Sequence, residues 1–198
     1  MRLFALFSLL LWASTAPAAM LDRCNDLAEE VRLRHWQELG IDYPWQYPVA
    51  QLAQESACRN RISLDGVGSE GVPQITFRVW KDRLSGVGIS DLKTIENQLR
   101  SQAVINRDMW VAAKRAGAPK LWAAFQAYNG GPLVFKEIKR AGSVDHAAWR
   151  QACRRADVRV SPTQTRNACD INAEYSVNID AMARKYWAAK PSEKFPFW

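Results

Sequence analysis

The sequence predicts a mainly helical single domain with a small loop or hairpin set after one short helix. Three observations predict it. Apolar residues recur at helical spacing through most of the chain, prolines and glycines gather at the breaks between those stretches, and residues 59–73 carry glycines without any helical period.

Taken in order, residues 1–19 read as an export signal outside the fold. Arg2 gives a positive start, residues 3–12 an apolar run, and Ala16-Pro17-Ala18 a small-residue cleavage signature. The run is short for a bilayer span and no later stretch is apolar enough for one. Residues 20–198 are then expected to form one exported domain without stable membrane insertion. Residues 22–39 place Leu27, Val31 and Trp36 among charges, an amphipathic helix that Gly40 ends. An aromatic, proline-bearing connection follows. Pro48 suits the first turn of a helix reaching about Cys58, with Val49, Leu52, Ala53 and Ser56 toward one face.

Gly66, Gly68 and Gly71 punctuate the loop or hairpin after that helix, and residues 75–84 resume a helical pattern. Ser90 is positioned to cap a long helix to about Ala116, which Gly117 and Pro119 stop. Residues 120–129 form another, closed by Gly130-Gly131-Pro132. Residues 133–140 and 147–156 read as shorter helices. Residues 173–189 close the domain, with Tyr175, Ile179, Met182 and Tyr186 at helical spacing.

The chain of 198 residues has a formal net charge of +7, which would favour work near anionic polymers such as cell-wall material or phospholipid surfaces. Nucleic acid is a poor partner, because no basic motif of a nucleic-acid-binding fold is present. Four cysteines, Cys24, Cys58, Cys153 and Cys169, favour two disulfides in an oxidising compartment, with three pairings open. The preferred pairing joins Cys24 to Cys58 and Cys153 to Cys169; the second would close a loop of roughly 15 residues, worth about 3 kcal/mol. Metal binding is the weaker reading, since there is no C-x-x-C and His35 and His146 lack a ligand-like arrangement. No cofactor is expected.

Glu55 is the residue with most to say about chemistry. It falls on the last turn of the predicted helix, where the negative end of the macrodipole disfavours an ionised carboxylate. Walled off from water, it would keep its proton near neutral pH, as a general acid must. It lies off the apolar stripe, which fits a solvent face or the wall of a cleft equally. Asp65 and Glu70, in the following loop, are candidates for a second carboxylate that activates water, although solvated charge is their usual explanation. Trp45, Trp80, Trp110 and Trp122 are candidates for stacking on a ligand, against burial in the core.

Three segments belong together: Glu55-Ser56 with Gly68-Ser69-Glu70-Gly71 and Gln74; Ala127-Tyr128-Asn129-Gly130-Gly131-Pro132; and Tyr175 with Ile179. This set resembles the soluble lytic transglycosylases, a family with a goose-lysozyme-like fold that cuts the glycan strands of peptidoglycan. The resemblance covers a core of about residues 48–187. It departs at Val72-Pro73, where the family carries Leu-Met or Leu-Phe, and at Ser176, where valine is usual. The loop between Glu55 and Gly68 is one residue longer than the common family form.

The resemblance implies an α+β lysozyme-like fold and a glycan-cleaving lyase with one acid. Glu55 would protonate the leaving oxygen at C1 of N-acetylmuramic acid and then, as a base, deprotonate the C6 hydroxyl that closes a 1,6-anhydro ring. Tyr175 would hydrogen-bond Glu55, although a core tyrosine fits its spacing as well. Ser56, Gln74, Tyr128 and Asn129 make up the substrate-binding set, Ser56 by supporting the loop. The implied setting is the periplasm and the implied partner the peptidoglycan strand, acted on by a monomer. Small size and export fit local remodelling, for example opening a gap for an envelope-spanning secretion or conjugation machine. A lysozyme-type hydrolase of the same bond and a non-catalytic glycan-binding scaffold are the alternatives.

Overall fold

The computed structural model describes residues 5–63, 68–161 and 163–198, without the side chains of 5–16 and 159–161. Asp65, Gly66 and the first four residues of the expected export signal lie outside that set.

Helix α1 (Ala5–Leu39) contains the predicted 22–39 segment but starts earlier, running through Pro17. The added length is rich in alanine and leucine, both strong helix formers. Residues 17–19 are exposed, and Met20 is partly buried against the core. Gly40 ends the helix at φ +93°. Among the described residues no helix is long and apolar enough to cross a membrane.

Helix α2 (Gln46–Ser56) has Pro48 in its first turn, as expected, but stops short of Cys58. Ala57 and Cys58 both wind left-handed, at φ 54° and 57°. Their N–H groups donate back to Ala53 and Leu52, satisfying carbonyls that a helix end otherwise leaves open. Beyond it, isolated bridges pair Ile62 with Glu70 and Glu70 with Ile75. The expected hairpin is therefore present in minimal form.

Helix α3 (Phe77–Ser85) and the long helix α4 (Ile95–Arg115) follow. The cap of α4 is Thr94, not Ser90: the Thr94 hydroxyl accepts the N–H of Asn97, while Asp91 turns the intervening chain by accepting from Lys93. Helix α5 (Leu121–Gly130) is buried along all of residues 121–127. A helix apolar on every side belongs in a core. Its first N–H groups, from Leu121 and Trp122, donate to the carbonyls of Pro196 and Phe197 in the C-terminal segment, whose Phe195 and Phe197 enter the same core.

Helices α6 (Leu133–Ala141) and α7 (His146–Ala152) come next. The predicted helix 147–156 is too long. Cys153 turns to extended backbone, and an antiparallel hairpin of β1 (Asp157–Ser161) and β2 (Gln164–Asn167) occupies the chain that follows. The alternation Val158-Arg159-Val160 is the strand signal there. Helix α8 (Ala168–Trp187) begins five residues before the predicted start because Asn167 caps it, accepting from Cys169.

Both preferred disulfides are present. Cys24–Cys58 ties α1 to the end of α2, and Cys153–Cys169 ties the end of α7 to the start of α8. Helix α4 packs against α1 and α5, α2 against α1 and α8, and α5 against α8. The ends of α2 and α5 and the first half of α8 thereby converge on one place.

Candidate active site

At that place stands Glu55, on the last turn of α2 and half-buried. Part of its surface reaches an open groove while protein packs round the rest. Burial pushes its carboxyl up to about pKa 7, against the lowering influence of a hydrogen bond from Tyr175. That bond runs from the Tyr175 hydroxyl on α8 to Glu55 Oε1 at 2.5 Å. Tyr175 is itself buried, and burial next to the Glu55 charge holds its hydroxyl well above the ordinary tyrosine range. It keeps its proton throughout the pH range of interest.

The groove has three adjoining sections. The central one, about 390 Å³, is lined by Glu55, Gln74, Trp80, Tyr128 and Asn129, with Arg61 and Thr76 on its rim. A second, about 330 Å³, shares Glu55 and Asn129 and continues past Tyr175 toward Arg166 and Glu174. A third, about 410 Å³ and more apolar, shares Trp80, Tyr128 and Asn129 and reaches Val79 and Pro132. The three sections share lining residues, and Glu55 stands where the first two meet.

The structure gathers most of the predicted residues here and reassigns some. Tyr128 donates to the backbone carbonyl of Pro73 at 2.9 Å, a bond that joins the groove's two sides. Asn129 donates to Asn172 at 3.0 Å and remains exposed. Gln74 adopts φ 49°, uncommon for a residue with a Cβ, and both its amide hydrogens go to the carbonyls of Gly71 and Arg61. Its carbonyl is what it can offer a ligand.

Ser56 is not in the groove. Buried at 1 % exposure, it donates to the Val72 carbonyl at 2.7 Å and accepts from the Arg59 N–H, so it braces the loop, the supporting role expected of it, and does not itself face the furrow. Of the four candidate tryptophans, Trp80 lines the furrow. Trp110 and Trp122 are core residues, and Trp45 is partly buried against the smaller apolar cluster that includes Leu52 and Leu99. Ser176 is buried and accepts from Gln126, away from the furrow.

Of the two candidate second carboxylates, the described one, Glu70, does not line the section that holds Glu55. Glu70 lines a separate hollow with Lys93 and Gln98, and Asp65 lies outside the described residues. Glu55 is the one carboxylate among the described residues of the central section. Among the described residues no group of three His, Cys, Asp or Glu side chains is placed to hold a metal ion.

Gly71 shows why the loop needs glycine. Its φ is +80°, and a Cβ there would come within 2.6 Å of Gln98. Gln98 cannot easily move, because it accepts from Val72 and donates to Leu92 and Asn60. On the opposite side Gly130 faces Arg155 and Asn172 too closely for any side chain. Arg155 donates to the Gly130 carbonyl while paired through two nitrogens with buried Glu137, which also accepts from Trp149.

Sequence reasoning missed Arg61, whose guanidinium donates to the Glu55 backbone carbonyl at 3.3 Å, and Arg155. It also missed Gln51, which donates to the Tyr175 hydroxyl at 3.1 Å. A signal for the last was present: Gln98, Gln102 and Asn106 recur every fourth residue on α4, and all three are buried. A polar stripe at helical spacing on an otherwise apolar face marks an internal network. No model of a known protein family matches the chain, and neither a curated protein nor a solved structure does.

Proposed function

We propose that the protein is an exported lytic transglycosylase of lysozyme-like fold that cleaves peptidoglycan glycan strands in the periplasm. The observation that carries the reading is the Glu55–Tyr175 pair: a carboxyl raised to about pKa 7, held by a buried hydroxyl at 2.5 Å, where two sections of a polar and aromatic furrow meet. An acid with a pKa near the working pH can give and take a proton in one cycle. The two disulfides fit an oxidising compartment.

In this reading Glu55 protonates the glycosidic oxygen as the bond to C1 of N-acetylmuramic acid breaks. The sugar's own 2-acetamido oxygen bonds to C1 and spreads the positive charge. Glu55, now a carboxylate, removes the C6 hydroxyl proton, and that oxygen displaces the acetamido group to close the 1,6-anhydro ring. No water is consumed. Tyr175 stabilises the carboxylate between the two proton transfers, which keeps burial from raising its pKa further. Trp80 and Tyr128 offer aromatic surface to sugar faces, and Asn129 and the Gln74 carbonyl offer polar contacts.

Mass spectrometry of purified sacculi digested by the protein tests this. Products ending in 1,6-anhydro-N-acetylmuramic acid are expected. Reducing ends would instead make the protein a lysozyme-type hydrolase.

A further inference from the structure

Behind Tyr175 lies a buried chain of neutral polar groups that contacts no groove. Gln51 donates through Nε2 to the Tyr175 hydroxyl, while its Oε1 accepts from Gln102 and from Asn106, each at 2.9 Å. Asn106 also donates to His35 Nε2 at 3.1 Å, and His35 Nδ1 faces the Val31 carbonyl at 2.8 Å. Gln51, Gln102 and His35 have no exposed surface, and Asn106 has 3 %.

The direction of every bond in this chain is fixed from its ends. Backbone carbonyls only accept. The Val31 carbonyl requires a proton on His35 Nδ1, so in the neutral ring Nε2 must accept, and the Asn106 amide must present its nitrogen. The Pro48 carbonyl accepts from Gln102 Nε2 at 3.1 Å, so the same nitrogen meets Gln51 as a donor. Both neighbours thus turn the Gln51 oxygen toward themselves and its nitrogen toward Tyr175. A lone pair of the Tyr175 oxygen is then occupied, and its proton is left for Glu55.

We propose that Gln51 is a positioning residue that fixes the Tyr175 hydroxyl as a donor to Glu55, its own orientation set by the Val31 and Pro48 carbonyls through His35, Asn106 and Gln102. The inference deepens the proposed function, since it supplies the device that favours return of Glu55 to its charged form after the first proton transfer. The other charged or titratable groups facing Glu55 are Tyr128 from α5, Arg61 from the loop after α2, and the Arg166–Glu174 pair from β2 and α8. None of them contacts Gln51.

The test is carboxyl ¹³C titration of Glu55, which needs no substrate. In Gln51→Met the freed Tyr175 oxygen can accept from protonated Glu55, so the midpoint is expected to rise by at least about half a pH unit. Gln51→Glu, which keeps the acceptor for Gln102 and Asn106 but turns the Tyr175 proton away from Glu55, should raise it further. In a Tyr175→Phe background Gln51→Met should add nothing. An unchanged midpoint in folded Gln51→Met, or an equal shift without Tyr175, overturns the proposal.

Should the Gln51 variants not fold, ¹⁵N shifts of His35 in the wild-type protein decide. An Nδ1-protonated neutral ring at pH 7 is expected. The Nε2-protonated tautomer would reverse Asn106 and set its oxygen against the Gln51 oxygen that Gln102 holds in place, which overturns the proposal. Expected titrations without any glycan cleavage would remove the proposed function and leave this relay standing; cleavage with an indifferent Gln51 would do the opposite.

Discussion

On one side of Glu55 the wall formed by residues 59–63 and 68–76 is held mainly by neutral groups, whereas on the other the turn between α5 and α6 is held by a mostly buried ion pair. The first wall rests on Ser56 and Gln98, which bind the Val72 carbonyl and N–H, and on Gln74, which binds two carbonyls of its own loop. The second rests on Arg155 and Glu137, with side-chain exposures of 11 % and 6 %, clamped to the Gly130 carbonyl. Among the described residues the Tyr128 hydroxyl joins them by donating to the Pro73 carbonyl. Both walls hold loop backbone at the edge of the furrow, yet they should fail differently. Neutral bonds are lost one at a time. A buried pair that loses one member leaves an uncompensated charge.

The sharpest way to break the comparison is Glu137→Ala. Arg155 would remain buried without its partner and Trp149 would lose its acceptor, so urea unfolding should show a loss of about 4 kcal/mol. A loss below about 1 kcal/mol would mean that the second wall is no different from the first. Next comes the bridge behind that wall. Replacing Cys153 and Cys169 together by serine should cost about 3 kcal/mol, the value expected for so short a loop, and reductant should lower the melting temperature of the wild-type protein. An unchanged melting temperature would deny the bridges a structural role.

Glu55 sharpens the comparison through pH. Its folded pKa, about 7, lies above its ordinary value of 4.5. The folded state therefore binds the proton more tightly, and stability falls as pH rises from about 4.5 to about 7. Glu55→Gln should escape that loss, being more stable than wild type by on the order of 2 kcal/mol at pH 8 and indistinguishable from it near pH 4. Buried His35, lowered to about 4, has the opposite slope: its stabilisation is lost as pH falls below 6.5. It contributes equally to both proteins and drops out of the difference. Smallest is Tyr128→Phe, which removes the bond between the walls and should cost about 1 kcal/mol. A much larger effect would mean that the walls are interdependent.

What the sequence disclosed follows physical lines. The ends of α5 and α6 and the start of α2 were legible because they carry proline or glycine at the positions where helix ends demand them. The disulfide pairing was legible as a preference among three. Glu55 could be placed on the last turn of α2 but not turned toward a cleft or away from it, because facing depends on what α8 brings alongside. Tyr175 had the spacing of a core residue and is both buried and bonded to Glu55. The starts of α4 and α8 were misplaced because serine, threonine and asparagine compete as caps, and only backbone geometry selects among Ser90, Thr94 and Asn167. The β1–β2 hairpin was missed because helical spacing was extended past Cys153, where the bridge to Cys169 and the Arg155 clamp pull the chain straight. The Gln51 network was hardest to see. Its members come from α1, α2 and α4, and no one segment of sequence contains it.

The most direct measurement compares wild type and Glu55→Gln on purified sacculi, following soluble 1,6-anhydromuropeptides and, in parallel, cosedimentation of protein with the insoluble wall. The wild-type protein should release anhydro products, and the variant should lose nearly all release while sedimenting as before. Undiminished release by Glu55→Gln, or no release by either protein, would contradict the account.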